Sequence, residues 1–134
     1  MKTVMMADPV RYPRMNTQEL RDTFLIDRLF QPGSIQLAYV DLDRAVVGIA
    51  APGRDPIILQ TGPELRASYF TERREIGALN VGGPGTIYVG GSAYQPENLD
   101  LLYIGRGNAD IRFESKDKNN PAVYYLLSYP AHAT

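Results

Sequence analysis

The sequence predicts an all-β barrel or sandwich with one short helix near the N-terminus. Three observations predict it. Short runs rich in Val, Ile, Leu and Tyr recur along the chain, and these side chains suit a pleated, half-buried surface. Gly, Pro and Asp turn signals break the runs at near-regular intervals, as in a sandwich or barrel. Only one segment carries a good helix start.

That start is Asn16, an N-cap with Glu19 three residues on as its capping-box partner. Leu20 and Phe24 then fall one turn apart on one face. The strands expected after it are Leu25–Phe30, Ile35–Val40, Ala45–Ala50, Ile57–Gln60, Ala67–Thr71, Ile76–Val81, Thr86–Val89, Leu101–Ile104, Ile111–Glu114 and Val123–Leu127. Turns are marked by Pro32-Gly33, Asp41-Leu42-Asp43, Pro52-Gly53, Gly62-Pro63, Gly82-Gly83-Pro84-Gly85 and Gly90-Gly91. The Gly82–Gly85 turn reads as one demanding unusual dihedrals. No linker or repeat divides the chain. Residues 1–16 read as an N-terminal arm and residues 17–134 as one domain, a length that suits a single core.

Composition excludes several functions. The net charge of -1 gives no basic field to hold a phosphate backbone, so nucleic acid is excluded as a partner. The absence of cysteine removes disulfides, thiolate metal sites and cysteine nucleophiles. The stretch Met1–Asn16 has no apolar h-region, and the longest apolar run, Ala45 to Ala51, is far too short to cross a bilayer. A cytoplasmic protein with no membrane partner is expected. The single histidine, His132, cannot supply the two or three imidazoles that catalytic zinc usually takes. Near a terminus it reads as exposed or structural.

The segment from Tyr69 to Asp110 resembles the motif frame of cupins, small jelly-roll barrels that carry H-x-H-x3-E-x6-G and P-x-G-x2-H. Tyr69-x-Thr71 stands at H-x-H, with Glu75 and then Gly82 at the following spacings. Gly105-x-Gly107-x2-Asp110 stands at the second motif. The frame is kept and the histidines are gone, so no metal ligand set is expected. If this stretch is a strand, alternation turns Tyr69, Thr71, Arg73 and Glu75 toward the barrel interior. Glu75 as base and Arg73 as electrostatic stabiliser are then the catalytic candidates. Tyr69, Thr71 and Asp110 are the substrate-binding candidates.

The run Ser68-Tyr69-Phe70-Thr71-Glu72-Arg73-Arg74-Glu75-Ile76-Gly77, continued through Gly82-Gly83-Pro84-Gly85-Thr86, resembles the 5-keto-4-deoxyuronate isomerases, whose pattern is S-Y-F-L-E-R-R-E-L-G followed by G-G-x-G-T. Asp43-Arg44 before an apolar run agrees as well. So do Asp100-Leu101-Leu102-Tyr103-Ile104-Gly105-Arg106-Gly107, Pro121-Ala122-Val123-Tyr124-Tyr125 and Pro130-Ala131-His132. The resemblance runs from about Asn16 to the end.

It implies a cupin-like jelly-roll fold and a protein about twice this length with two cupin domains. It implies conversion of 5-dehydro-4-deoxy-D-glucuronate to 3-deoxy-D-glycero-2,5-hexodiulosonate in the breakdown of pectin-derived uronates. It implies zinc in the C-terminal cupin, none in this chain, and a homo-oligomeric assembly. This chain then reads as the N-terminal structural and assembly half, with the C-terminal cupin half as partner and a small sugar acid as substrate of the whole enzyme. A second reading is a free-standing, metal-free cupin that binds a uronate-like ligand or a protein partner without catalysis. A third keeps catalysis on Glu75 and Arg73.

Three local features have plainer readings. Glu72-Arg73-Arg74-Glu75 could clamp a uronate carboxylate, yet also reads as a structural ion-pair cluster. Gly105 to Asp110 lacks the third glycine and the following helix of a dinucleotide fingerprint. Tyr124, Tyr125 and Tyr129 read as core and interface aromatics.

Overall fold

Most of the expected runs become strands because apolar side chains alternate along them. The computed structural model describes residues 1–133. Its elements are β1 (Lys2–Val4), α1 (Thr17–Phe24), β2 (Ser34–Val40), β3 (Ala45–Ala51), β4 (Ile57–Ile58), β5 (Arg74–Asn80), β6 (Gly85–Val89), β7 (Ser92–Tyr94), β8 (Leu101–Ile104), β9 (Ile111–Ser115) and β10 (Tyr124–Pro130). They form a six-stranded sheet in the order β1-β2-β3-β10-β5-β8 and a four-stranded sheet in the order β4-β9-β6-β7.

The pairing is nested. β3 pairs with β10, β4 with β9, β5 with β8 and β6 with β7, all antiparallel. One long hairpin is thus folded back on itself and laid alternately on two sheets, which is the jelly-roll topology of the cupin class. β1 and β2 extend one sheet beyond β3, and the two sheets do not close into a continuous barrel. The open side, between β2 and β4, is a cleft of about 460 Å³.

The core lies between the sheets. Val46, Ala50, Ile76, Ala78, Tyr124 and Leu126 meet Ile87, Ile111 and Phe113. The Phe113 and Tyr124 rings lie 5.2 Å apart at 39°. Side chains fill the middle of the sandwich. Each large apolar side chain buried this way contributes roughly 1.5–3 kcal/mol. Among the described residues Asn80 is one of four buried polar residues, with Thr71, Arg74 and Ser128. Its side-chain amide donates to the carbonyls of Gly83 and Pro96 at 2.8 and 3.0 Å, and its oxygen accepts from Gly82 N at 3.0 Å.

α1 has the expected cap. Glu19 N donates to Asn16 Oδ1 at 2.8 Å, and Asn16 N to Glu19 Oε1 at 3.5 Å. No residue of the helix is buried.

Several expectations are corrected. Leu25–Phe30 is not a strand: Arg28 takes φ 59, and Ile26 and Leu29 instead pack on a second apolar cluster of Val4, Ala38, Val40 and Ala45. Ala67–Thr71 is not a strand either. Arg66 at φ 47 turns the chain, and Glu72 N closes a further turn on Tyr69 O at 3.2 Å. β1 and β7 carry no strong alternation, and sequence reading missed both. The stretch 1–16 contributes β1 to the sheet, with Val4 buried; Thr134, the end of the expected domain, lies outside the described residues. The Gly82–Gly85 turn needs no unusual dihedrals. Its glycines are set by space: a Cβ at Gly82 would stand 2.6 Å from Pro121 O and Val123 N, and one at Gly85 2.6 Å from Glu114 O.

Candidate functional site

β5 enters the six-stranded sheet at Arg74, and its alternation buries Arg74, Ile76, Ala78 and Asn80 while Glu75, Gly77 and Leu79 face outward. The expected facing is therefore corrected by one residue. Tyr69, Thr71, Arg73 and Glu75 do not share an inward face, because the strand starts only at Arg74 and the residues before it turn. Arg74 is the side chain that points inward, at the end of the sandwich where β10 finishes beside it (Pro130 opposite Arg74).

Arg74 is only 6% exposed. Its Nε donates to Ser128 Oγ at 3.1 Å, and its Nη2 to Ser128 O at 3.0 Å and to the Arg44 carbonyl. Among the described residues its Nη1 has no hydrogen-bond partner and no carboxylate lies within ion-pair distance; the ion pairs found there are Met1–Glu64 and Arg112–Glu114. A buried charge held only by neutral acceptors is unusual, since desolvation of an unpaired ion costs several kcal/mol. That burial holds the guanidinium below its ordinary value; the Tyr39 phenol opposes the shift and the Arg44 charge adds to it. It still stays protonated at neutral pH.

Arg74 lines a cavity of about 150 Å³ with Tyr39, Arg44, Glu64, Leu65 and Arg73. Its rim is built from backbone in the left-handed region. Asp43 and Arg44 (φ 53 and 52) turn the Arg44 carbonyl onto Arg74, and Arg66 (φ 47) offers its carbonyl to Arg73 Nη2. Each such non-glycine residue stores roughly 1–3 kcal/mol. Glu64 is the acid in the wall, and the Met1 ammonium binds its Oε1 at 3.2 Å. Its carboxyl is held below the ordinary range by a backbone hydrogen bond and, against some desolvation, by that ammonium. Three arginines and one acid thus line the cavity; Glu64 Oε1 is paired with the Met1 ammonium, while its Oε2 is buried without a hydrogen-bond partner among the described residues.

The sequence-derived candidates lie elsewhere. Glu75 faces outward and accepts from Tyr103 Oη at 2.8 Å, which raises the Tyr103 phenol above its ordinary value. Arg73 is exposed on the cavity rim. Among the described residues no ion-pair cluster forms along Glu72–Glu75; Glu72 instead accepts from Ser68 N at 2.7 Å. Thr71 is buried, its hydroxyl donating to Asn108 O while its carbonyl accepts from Gly107 N at 2.8 Å. The two motif regions therefore do meet, through the Thr71 hydroxyl on one backbone carbonyl and one backbone–backbone hydrogen bond. Tyr69 is half-buried in the turn. Asp110, at φ 55, is exposed beside Tyr88 and Arg112 on the outer side of the four-stranded sheet. His132 is exposed, its carbonyl held by Arg106 at 3.1 Å. Among the described residues no three His, Cys, Asp or Glu side chains stand together as a metal site. Guanidiniums do not ligate cations, so the Arg74 cavity does not fit zinc.

A second feature is a surface. Across the outer face of the six-stranded sheet, Ile49, Tyr125, Leu79 and Leu101 form one row and Val47, Leu127, Gly77 and Tyr103 the next. A solvated antiparallel sheet face normally reads polar. Toward β2 the segment with Ile26 and Leu29 packs on this face, on the cluster of Ala38, Val40 and Ala45, with Val47 against it. Toward β8 it is bare: Leu101 is 63% and Tyr103 62% exposed.

No family model matches the chain. It is 46% identical over 126 residues to the 4-deoxy-L-threo-5-hexosulose-uronate ketol-isomerase of Formosa agariphila, covering 94% of this chain and 45% of that protein. The proteins of the same name from Lachnoclostridium phytofermentans (45% over 128 residues; 96% of this chain, 46% of that one) and Opitutus terrae (40% over 135 residues; 100% and 49%) are also similar. The chain spans about half the length of the curated relatives it matches. Among solved structures, a cupin protein from Bacteroides fragilis gives a TM-score of 0.48 at 17% identity, covering 67% of this chain and 69% of that one. A cupin-2 domain protein from Shewanella frigidimarina gives 0.45 at 10%, covering 76% and 84%. Among the described residues no helix is long and apolar enough to cross a membrane.

Proposed function

We propose, since this chain is homologous over nearly all its length to about half of a 4-deoxy-L-threo-5-hexosulose-uronate ketol-isomerase, that it is the N-terminal assembly half of such an enzyme. In this reading the whole protein works in the cytoplasm on 5-dehydro-4-deoxy-D-glucuronate released from pectin. Its reaction moves a proton between C1 and C2, which asks for a base and for an electrophile at the developing oxyanion. Zinc supplies the electrophile when bound, and its ligands belong to the other half. The task of this chain is to pack against that half and to build the oligomer.

The observation that carries the reading is the bare apolar face over β10, β5 and β8 in a chain of half the relatives' length. Sheet faces buried on both sides are apolar on both sides. A patch of this kind marks an interface, and a second cupin layer would cover it.

The test is a chimera that joins this chain to the remaining part of the Formosa agariphila relative, assayed with zinc beside the chain alone. Turnover is expected from the chimera and none from the chain. Leu101→Glu should lower the chimera's Tm by several degrees while leaving the lone chain within about 0.5 kcal/mol, as for exposed positions generally. Turnover by the chain alone, or an indifferent chimera Tm, overturns the reading.

A further inference from the structure

We propose that the free edge of β8 pairs antiparallel with β8 of a second copy of this chain, about a two-fold axis at Leu102. The surface is a strand edge, not the sheet face assigned above to the other half, so the proposal does not rest on how the halves pack.

Backbone hydrogen bonds carry the argument. β8 ends the six-stranded sheet and pairs with β5. Asn80 N donates to Asp100 O at 2.9 Å. Bonding alternates along an antiparallel pair, so Leu102 and Ile104, opposite Ala78 and Ile76, also turn their backbone groups to β5. The amides and carbonyls of Leu101 and Tyr103 then point away from the sheet. Among the described residues no turn or loop backbone group bonds to them.

The other three edge strands are guarded. β1 carries an exposed Lys2, β4 is two residues long and follows Arg54-Asp55-Pro56, and β7 is three residues long and opens on Ser92. Shortness, charge and proline are the features that keep sheet edges from pairing with other chains. β8 is the longest of the four and reads Leu-Leu-Tyr-Ile, with neither a charge nor a proline.

A second copy fits this edge. A two-fold antiparallel pair centred on Leu102 sets each Leu101 opposite the second copy's Tyr103 and closes about four backbone hydrogen bonds. Both side chains lie on the outer face and form an apolar cross-strand pair. On the inner side the second copy's Leu102 meets Leu102. It would cover a cavity of about 110 Å³, lined by Val89, Tyr94 and Ile104, where the sandwich stays open between β8 and β7. Charge does not oppose the pairing. Asp100 falls opposite the second copy's Ile104, which leaves the two Asp100 carboxylates roughly 14 Å apart along the strands, beyond a Debye length of about 8 Å.

The test is sedimentation equilibrium of the purified chain between about 5 and 500 µM, with amide exchange at both ends of that range. A reversible monomer–dimer equilibrium is expected, and exchange at Leu101 and Tyr103 should slow at least tenfold at the higher concentration. Tyr103→Pro removes an amide that β5 does not use, a position where an edge strand tolerates proline. It should weaken the dimer at least tenfold and leave a folded monomer. Should that variant not fold, Tyr103→Lys keeps the backbone groups and sets two ammoniums near the axis. It should weaken the dimer at least severalfold, while Tyr103→Phe should dimerise like the parent. The proposal is overturned if the chain stays monomeric at about 500 µM, if exchange at the two amides is independent of concentration, or if the dimer survives Tyr103→Pro or, failing that, Tyr103→Lys. A dimeric chain beside a chimera without turnover would sink the assembly reading and leave this edge standing; a monomeric chain beside an active chimera would do the reverse.

Discussion

Ser128→Ala tests the anchoring of the buried guanidinium. The Ser128 hydroxyl accepts from Arg74 Nε at 3.1 Å and donates to Glu75 O at 2.6 Å, and its side chain is 1% exposed. Alanine fits the space, so packing changes little. What is lost is one acceptor for a buried charge and one donor to a strand carbonyl. A hydrogen bond to a charged group contributes about 1.5–3 kcal/mol, and the freed polar atoms cannot reach bulk water without opening the sheet. The expected loss is about 2–3 kcal/mol in urea unfolding. For a domain between the two usual size classes, Tm should fall by roughly 6–12 °C. A change under about 0.5 kcal/mol would refute the reasoning, since Arg74 would then not depend on this bond.

Gly85→Ala puts a methyl against Glu114 O, the Ala122 Cβ and the Tyr124 hydroxyl, two of which belong to packed β9 and β10; a loss of about 1–3 kcal/mol is expected by denaturant titration. Asn16→Ala removes the capping box at about 1 kcal/mol. Because no helix residue is buried, it should speed amide exchange within Thr17–Phe24 and barely move the global midpoint. Glu64 sits below its ordinary value of 4.5 in the folded state, so its contribution is present above that pH and is lost as pH falls through the lowered value. Glu64→Gln should therefore flatten the acid limb of the stability–pH curve below about pH 4.5, and an unchanged limb would remove Glu64 from it.

The helix cap at Asn16, strands β2, β3, β6, β8 and β9, and the order of motifs were legible in the sequence because they rest on local chemistry: a side-chain oxygen near free amides, and alternation over a few residues. Leu25–Phe30 was misread because an apolar run becomes a strand only when another backbone pairs with it, and here Arg28 breaks the run and its side chains cover a neighbouring sheet.

The candidate site was less legible. Alternation fixes which residues share a face, never which face is inside. In β5 both sets carry apolar residues, Ile76 and Ala78 on one and Leu79 on the other, so the sequence could not choose between Arg74 and Glu75. Tertiary structure chose, because the partners that accept from Arg74 lie 30 and 54 residues away in sequence, at Arg44 and Ser128. The sequence by itself determined the strand-rich class, the capped helix and the family resemblance, all carried by near neighbours. Which charge is buried, what holds it and which face of the sheet is left bare depend on strand pairing across the whole chain, and only the folded arrangement decides them.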